Sequence, residues 1–245
     1  MNNSANDFND VKRSSSYVSK ISQSSAEHNV SQYKVIFIGN PNVGKTSIIK
    51  RYVTKQFKDK YNPSVGIAYE RIIVKVNSNS LVKLNLWDTA GHEKYKSVTK
   101  THFKGADAVL FVYDITDEQS FTELSSWITT VNEECEEGYL SYIIANKTDL
   151  NAQRTITTSK GSGYANTHGC TFMEISAKTG ANIDELFTDI AKALYNKSSL
   201  NTKQNNVNAR SRHSSISLQQ HELNMNININ TRKSKQYQPK ENKCC

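Results

Sequence analysis

"YKVIFIGNPNVGKTSIIKRYV" (Tyr33–Val53) opens with a short apolar run. It then passes through a turn bounded by Gly39 and Gly44 and continues into a helix-compatible stretch. The segment therefore reads as strand, loop, helix. Within it, Gly39-Asn40-Pro41-Asn42-Val43-Gly44-Lys45-Thr46 fits the spacing G-x-x-x-x-G-K-[ST]. Glycines permit close backbone approach, and amides at a helix start point toward phosphate oxygens. In such a loop Lys45 can bridge the β- and γ-phosphates, and the Thr46 hydroxyl, followed by Ser47, can ligate Mg²⁺. The pattern alone does not choose between ATP and GTP.

Working outward, "ERIIVKVNSNSLVKLNLWD" (70–88) holds two runs of alternating apolar character joined by Asn77-Ser78-Asn79-Ser80, a hairpin signal. The runs "ADAVLFVYDI" (106–115), "LSYIIANK" (140–147) and "CTFMEIS" (170–176) suit strands buried on both faces. Helical patterns fall around 119–136, 157–168 and 183–196. Alternating strands and helices predict an α/β fold: a mostly parallel six-stranded sheet with helices on both faces. No internal repeat is visible.

Composition narrows the domain to the middle of the chain. Residues 1–32 are Ser- and Asn-rich, and residues 197–245 are rich in Asn, Ser, Gln and Lys. Neither can bury enough apolar surface to offset the entropy of ordering, so both are expected to be disordered around one domain at 33–196. The net charge of +8 is concentrated at one end: nine Lys/Arg against two Glu in 197–245 give +7, while 1–32 balance at three of each sign. A basic tail suits an anionic membrane surface or nucleic acid, but it has few aromatics on which bases could stack, so no nucleic-acid partner is expected. No apolar run approaches the ~20 residues of a membrane span. The first residues resemble neither a secretory signal nor an N-myristoylation site. Cys135 and Cys170 lie inside apolar patterns and are expected as buried thiols.

The choice of base comes from Asn146-Lys147-Thr148-Asp149. A carboxylate at Asp149 can accept the N1–H and the exocyclic N2–H of guanine, and adenine offers no such pair. Exocyclic groups distinguish bases in the same way in nucleic-acid recognition. Ser176-Ala177-Lys178 follows another strand end, beside the same pocket at the carboxyl edge of the sheet.

Taken in order, GNPNVGKT, PSVG, WDTAG, NKTD and SAK resemble the small Ras-like GTPases across 33–196. Trp87, the "VYDIT" strand end (112–116) and the terminal Cys244-Cys245 look most like the Rab branch. The resemblance implies the P-loop small-GTPase fold, bound GTP or GDP, and Mg²⁺ as cofactor. It implies nucleotide contacts from Gly39, Asn40, Pro41, Asn42, Val43, Gly44, Lys45, Thr46, Ser47, Phe57, Ser64, Asp88, Gly91, Asn146, Lys147, Asp149, Ser176, Ala177 and Lys178. Of these, Phe57 matches an aromatic that packs on guanine. Thr46, Ser64 and, through water, Asp88 would hold the metal. Lys45 and the Gly91 amide would serve the γ-phosphate. Ser64 stands where the family has threonine; it keeps the hydroxyl but loses the methyl that restricts its rotamer.

The same resemblance implies two geranylgeranyl groups on Cys244 and Cys245. One lipid chain gives only marginal membrane binding, and two anchor stably. Implied partners are effectors that read switch I and switch II (about 57–69 and 88–104), an exchange factor, a GTPase-activating protein, the Rab escort and prenylation machinery, and a GDP-dissociation inhibitor. The expected location is the cytoplasmic face of an intracellular membrane, exchanging with cytosol.

Beyond Ser64, two places depart from the family pattern: residue 92 and the adjoining pair 41–42. His92 stands where a glutamine orients the attacking water. A neutral imidazole carries one donor and one acceptor in a different geometry, and it charges near neutral pH. Pro41 removes an amide donor from the phosphate loop and fixes φ, and Asn42 adds bulk beside it. Both changes are expected to slow intrinsic hydrolysis while sparing binding. The alternative is a membrane-attached binding module that holds GTP with negligible turnover.

Overall fold

The computed structural model describes residues 30–57, 68–89, 103–135 and 138–200. Six strands form one sheet: β1 (Ser31–Ile38), β2 (Ala68–Lys75), β3 (Leu81–Asp88), β4 (Ala108–Asp114), β5 (Leu140–Asn146) and β6 (Thr171–Glu174). Their order is β2-β3-β1-β4-β5-β6. β2 runs antiparallel to β3, and every other neighbouring pair is parallel. Among the described residues the α-helices are α1 (Lys45–Thr54), α2 (Glu118–Thr122), α3 (Leu124–Glu134), α4 (Thr158–Thr167) and α5 (183–200), and Thr148–Gln153 forms a short 3-10 helix. The chain divides into Met1–Tyr195 and Asn196–Cys245. Of the second unit only 196–200 are described, and they are helical.

Strand alternation sorts the core into two layers. Val35, Phe37, Leu84, Leu110 and Ile144 face one side, where Ile48 and Ile49 of α1 and Leu186, Phe187 and Ile190 of α5 cover them. Ile36, Ile38, Phe111, Tyr113 and Ile143 face the other, beneath Phe121, Leu124, Trp127 and Val131 of α2 and α3 and Ala165 of α4. Successive side chains of a strand point to opposite faces, so adjacent residues of β1 serve different layers. All of β4 is buried, as befits a parallel strand with helices on both faces. The expected hairpin closes with Val76 N–H donating to the Ser80 carbonyl at 3.0 Å.

Three expectations need correction. β6 is not buried on both faces: among the described residues it is an edge strand paired with β5 alone, and its residues are half-buried or exposed. The single helix expected at 119–136 is two, broken at Glu123. Glu123 takes φ −74° and ψ −7°, a turn-like departure from the helical ψ of about −42°, and the two helices meet there. Cys135 is only half-buried, because it is the cap residue where α3 ends; its thiol donates to the Phe103 carbonyl at 3.2 Å.

Gly161 lets α4 lie close to the sheet. A Cβ there would sit 2.4 Å from the Tyr113 hydroxyl and 2.9 Å from the Phe172 ring. Alanine would gain up to about 1 kcal/mol of helix propensity, but overpacking costs about 1–3 kcal/mol. Gly161→Ala is therefore expected to lower Tm by a few degrees. A thermal melt with unchanged or raised Tm would show that α4 can move away from β4 and β6 at no cost.

Candidate nucleotide-binding site

The parallel strands bring the motifs to one edge. Phe37, two residues before the phosphate loop, pairs with Asp88 at the end of β3, and Asp114 at the end of β4 pairs with Asn146 at the end of β5. Loops leaving these carboxyl ends must share one crevice.

The phosphate loop is shaped by two glycines that accept no side chain. Gly39 has φ 145°, and a Cβ on it would meet the Val112 carbonyl oxygen at 2.2 Å. Gly44 has φ 100°, and a Cβ there would lie 2.3 Å from Asn146 Nδ2. Left-handed backbone of this kind is open to glycine and strained for most other residues. Asn42 is also left-handed at φ 64°, a conformation asparagine tolerates better than bulkier residues. Pro41 and Asn42 are exposed, and Val43 is buried.

Helix α1 starts at Lys45 with no side chain capping it and no acidic residue in its first turn. Its leading amides remain available to an anion. A cation at a helix N-terminus opposes the helix dipole, and a local conflict of this kind marks a functional position. Lys45 is only 6% exposed. Its ammonium donates to the carbonyls of Gly39 at 2.7 Å and Asn40 at 2.8 Å. Burial lowers its pKa to about 8, against the upward pull of the Asp88 carboxylate.

The Thr46 hydroxyl donates to Asp88 Oδ2 at 2.5 Å. Asp88 Oδ1 is buried and has no hydrogen-bond partner among the described residues. Burial pushes the Asp88 carboxyl up, opposed by the Thr46 hydroxyl and then by Lys45 and Lys50. A buried carboxylate oxygen without a donor calls for an explanation, and a divalent cation supplies one. A hydroxyl and a carboxylate are hard oxygen donors of the kind Mg²⁺ takes, one or two protein groups being enough beside water and phosphate. Thr46 and Asp88 would hold it, and bound there it would neutralise charge on phosphate oxygens. Among the described residues no cluster of three His, Cys, Asp or Glu side chains forms a site for another metal.

The base pocket is a network of its own. Asn146 is 1% exposed. Its Nδ2 donates to the Val43 carbonyl at 2.8 Å, and its Oδ1 accepts from Ala177 N–H at 3.1 Å, so one side chain ties the phosphate loop to the Ser176-Ala177-Lys178 loop. Ser176 Oγ donates to Asp149 Oδ1 at 2.6 Å and accepts from Thr179 N–H at 3.1 Å. That fixes the Asp149 carboxylate, which is itself exposed. A family model for the Ras family matches residues 34–196 of the 245. The chain belongs to the Ras family of small GTPases. Ras-family GTPases bind GTP and GDP, typically with Mg²⁺, hydrolyse GTP and work through regulators and effectors.

Within this GTPase, Gly39, Asn40, Val43, Gly44, Lys45, Thr46, Asp88, Asn146, Lys147, Asp149, Ser176 and Ala177 line up along the same sheet edge. Ser47 is half-buried in the first turn of α1, and Lys178 is exposed on its loop. Phe57 is half-buried and packs on the α1/α5 core layer. Ser64, Gly91, His92, Cys244 and Cys245 lie outside the described residues.

Two supporting contacts of the GTPase were not anticipated. Lys147 has left-handed backbone (φ 69°), and its ammonium lies 2.6 Å from Asp114 Oδ2. Asp114 Oδ1 in turn accepts from the Thr116 N–H and hydroxyl at 2.9 and 2.8 Å. The signal was available in "VYDIT": a carboxylate ending an otherwise apolar strand. The second is Trp127, whose indole N–H donates to Asn40 Oδ1 at 3.0 Å. Nothing in the helical pattern around 119–136 sets Trp127 apart from a core residue.

Proposed function

We propose that this GTPase is a Rab-type switch in vesicle trafficking, anchored to the cytoplasmic face of an intracellular membrane by lipids on Cys244 and Cys245, with slow intrinsic hydrolysis. The observation that carries the nucleotide reading is the join at Asn146, which holds the phosphate loop and the base-reading loop in one rigid unit. GTP and Mg²⁺ would bind Lys45, Thr46, Ser64 and Asp88, with the Gly91 amide on the γ-phosphate. Asp149, Lys147, Ser176, Ala177, Lys178 and Phe57 would enclose guanine. Order in switches I and II would depend on the γ-phosphate and its metal and relax when the phosphate is lost.

The Rab assignment is supported by Trp87 on β3 and by Tyr69 beside it. Their rings meet edge to face at 5.4 Å, and Tyr69 is 44% exposed. A partly exposed aromatic pair on the strands that join the two switches offers effectors apolar area at low conformational cost. Exchange factor, activating protein, escort and prenylation machinery and GDP-dissociation inhibitor complete the proposed set of partners. The basic tail would add attraction to anionic lipid.

Hydrolysis tests the slow-turnover part. Full-length protein loaded with GTP and Mg²⁺ is expected to turn over about tenfold more slowly than His92→Gln, a difference of about 1.4 kcal/mol in barrier. Equal single-turnover rates would show that imidazole is tolerated and that the remaining phosphate-loop departure, Pro41, or a partner sets the clock. In cells, Cys244→Ser/Cys245→Ser is expected to move the protein from membranes to the soluble fraction. Retention on membranes would end the lipid-anchor reading.

A further inference from the structure

Asn40 joins the phosphate loop to helix α3. Its side-chain Oδ1 accepts the Trp127 indole N–H at 3.0 Å, a buried contact between residues 87 positions apart. Its backbone carbonyl accepts the Lys45 ammonium at 2.8 Å. One asparagine thus faces a helix with one oxygen and the phosphate-directed cation with the other. Asn40 is 8% exposed and Trp127 5%, so solvent competes little for either group.

The neighbours of Asn40 sharpen its role. Gly39 already abuts the Val112 carbonyl and cannot move toward β4. Pro41 has a fixed φ and no amide to donate. The stretch between them is held where Asn40 is held, and the indole is the donor on its side chain. Trp127 is firmly seated in turn, in the layer that also contains Ile36 and Ile38 of β1 and Phe103. A buried indole N–H seeks an acceptor; here the acceptor belongs to the nucleotide-binding loop.

We propose that Trp127 is a positioning residue for the nucleotide: its indole N–H holds Asn40, and through the Asn40 carbonyl the Lys45 ammonium, in the arrangement that receives phosphate. The inference rests on the reading that this loop binds the β- and γ-phosphates. Removing the N–H while keeping an aromatic ring strands Asn40 Oδ1 in a buried site without its donor. A buried acceptor left unpaired draws its residue toward another partner, and the Asn40 carbonyl moves with it.

The test is a double-mutant cycle on full-length protein carrying a fluorescent GDP analogue and Mg²⁺. Trp127→Phe and Asn40→Ala are each expected to speed GDP dissociation about five- to tenfold, the scale of one buried hydrogen bond. The double variant is expected to be no faster than the faster single, because both changes remove one interaction. Effects that multiply in the double variant, or singles that lower Tm while leaving dissociation unchanged, would overturn the proposal and leave Trp127 as core packing.

Should Trp127→Phe not fold, hydrogen exchange of the indole resolves the matter in protein that keeps Trp127. Trp87→Phe leaves a single indole signal, since the chain has two tryptophans. That signal is expected to exchange at least tenfold faster when Asn40→Ala is added, and equal exchange would refute the contact. A wild-type protein that fails to hold GDP at all would instead refute the nucleotide reading, a result distinct from an additive cycle.

Discussion

Asp149→Asn is expected to weaken GDP binding by about 10²–10⁴-fold while leaving the fold intact. The carboxylate is placed to accept two guanine donors, N1–H and N2–H, and hydrogen bonds to a charged group are worth about 1.5–3 kcal/mol each. An amide in its place turns one acceptor into a donor, so one guanine N–H meets another N–H. Xanthine carries an oxygen where guanine carries the exocyclic amine, and the variant is expected to bind XDP more tightly than GDP. The fold is spared because Asp149 is exposed and its anchoring contact is a hydroxyl donated by Ser176 at 2.6 Å, which an amide oxygen can also accept. Competition binding of GDP and XDP reads the result directly. GDP affinity within a few-fold of wild type would mean that Asp149 does not read the base.

Lys45→Met is the second large effect, and its two readouts move in opposite directions. Nucleotide affinity is expected to fall by at least about 10²-fold, because a buried cation aimed at phosphate is lost and breaking such a pair costs about 3–5 kcal/mol. The protein stripped of nucleotide is expected to gain stability. Burial holds Lys45 at about 8, below the ordinary 10.5, so at neutral pH its charge costs the folded state roughly 3 kcal/mol, and methionine relieves this.

The pH dependence has a definite sign. Between about 8 and 10.5 the unfolded chain binds the proton that the folded chain has released, so wild-type stability rises with pH across that window. Lys45→Met is expected to lack that rise. Denaturant titrations of both stripped proteins at pH 7 and pH 9 measure it. A variant less stable than wild type, with the same pH slope, would show that the two carbonyl contacts of Lys45 outweigh its desolvation.

The strand–loop–helix around Gly39 and Lys45 could be read from sequence because its constraints are local. A glycine pair, a lysine and a hydroxyl at fixed spacing define the loop whatever surrounds it. The hairpin at 76–80 and the strands β4 and β5 were readable for the same reason, through period-two alternation or compact apolar runs. Base choice followed from the chemistry of a single carboxylate at Asp149. Family membership came from the order of such local motifs along the chain.

What stayed hidden depends on neighbours distant in sequence. An apolar run does not say whether its strand has one neighbour or two, so β6 looked buried and is an edge. The break at Glu123 is a turn-like ψ of −7° at one residue, a local backbone departure that helical periodicity does not register. Lys147 finds Asp114 only because β4 and β5 end side by side, and Trp127 finds Asn40 only because α3 packs on β4, the strand beside β1. By itself the sequence determined which groups could bind phosphate, metal and guanine, since their chemistry belongs to each residue. Tertiary structure alone decided which oxygen of Asn40 faces the indole and which faces Lys45, because burial left each polar group few partners and the sheet chose them.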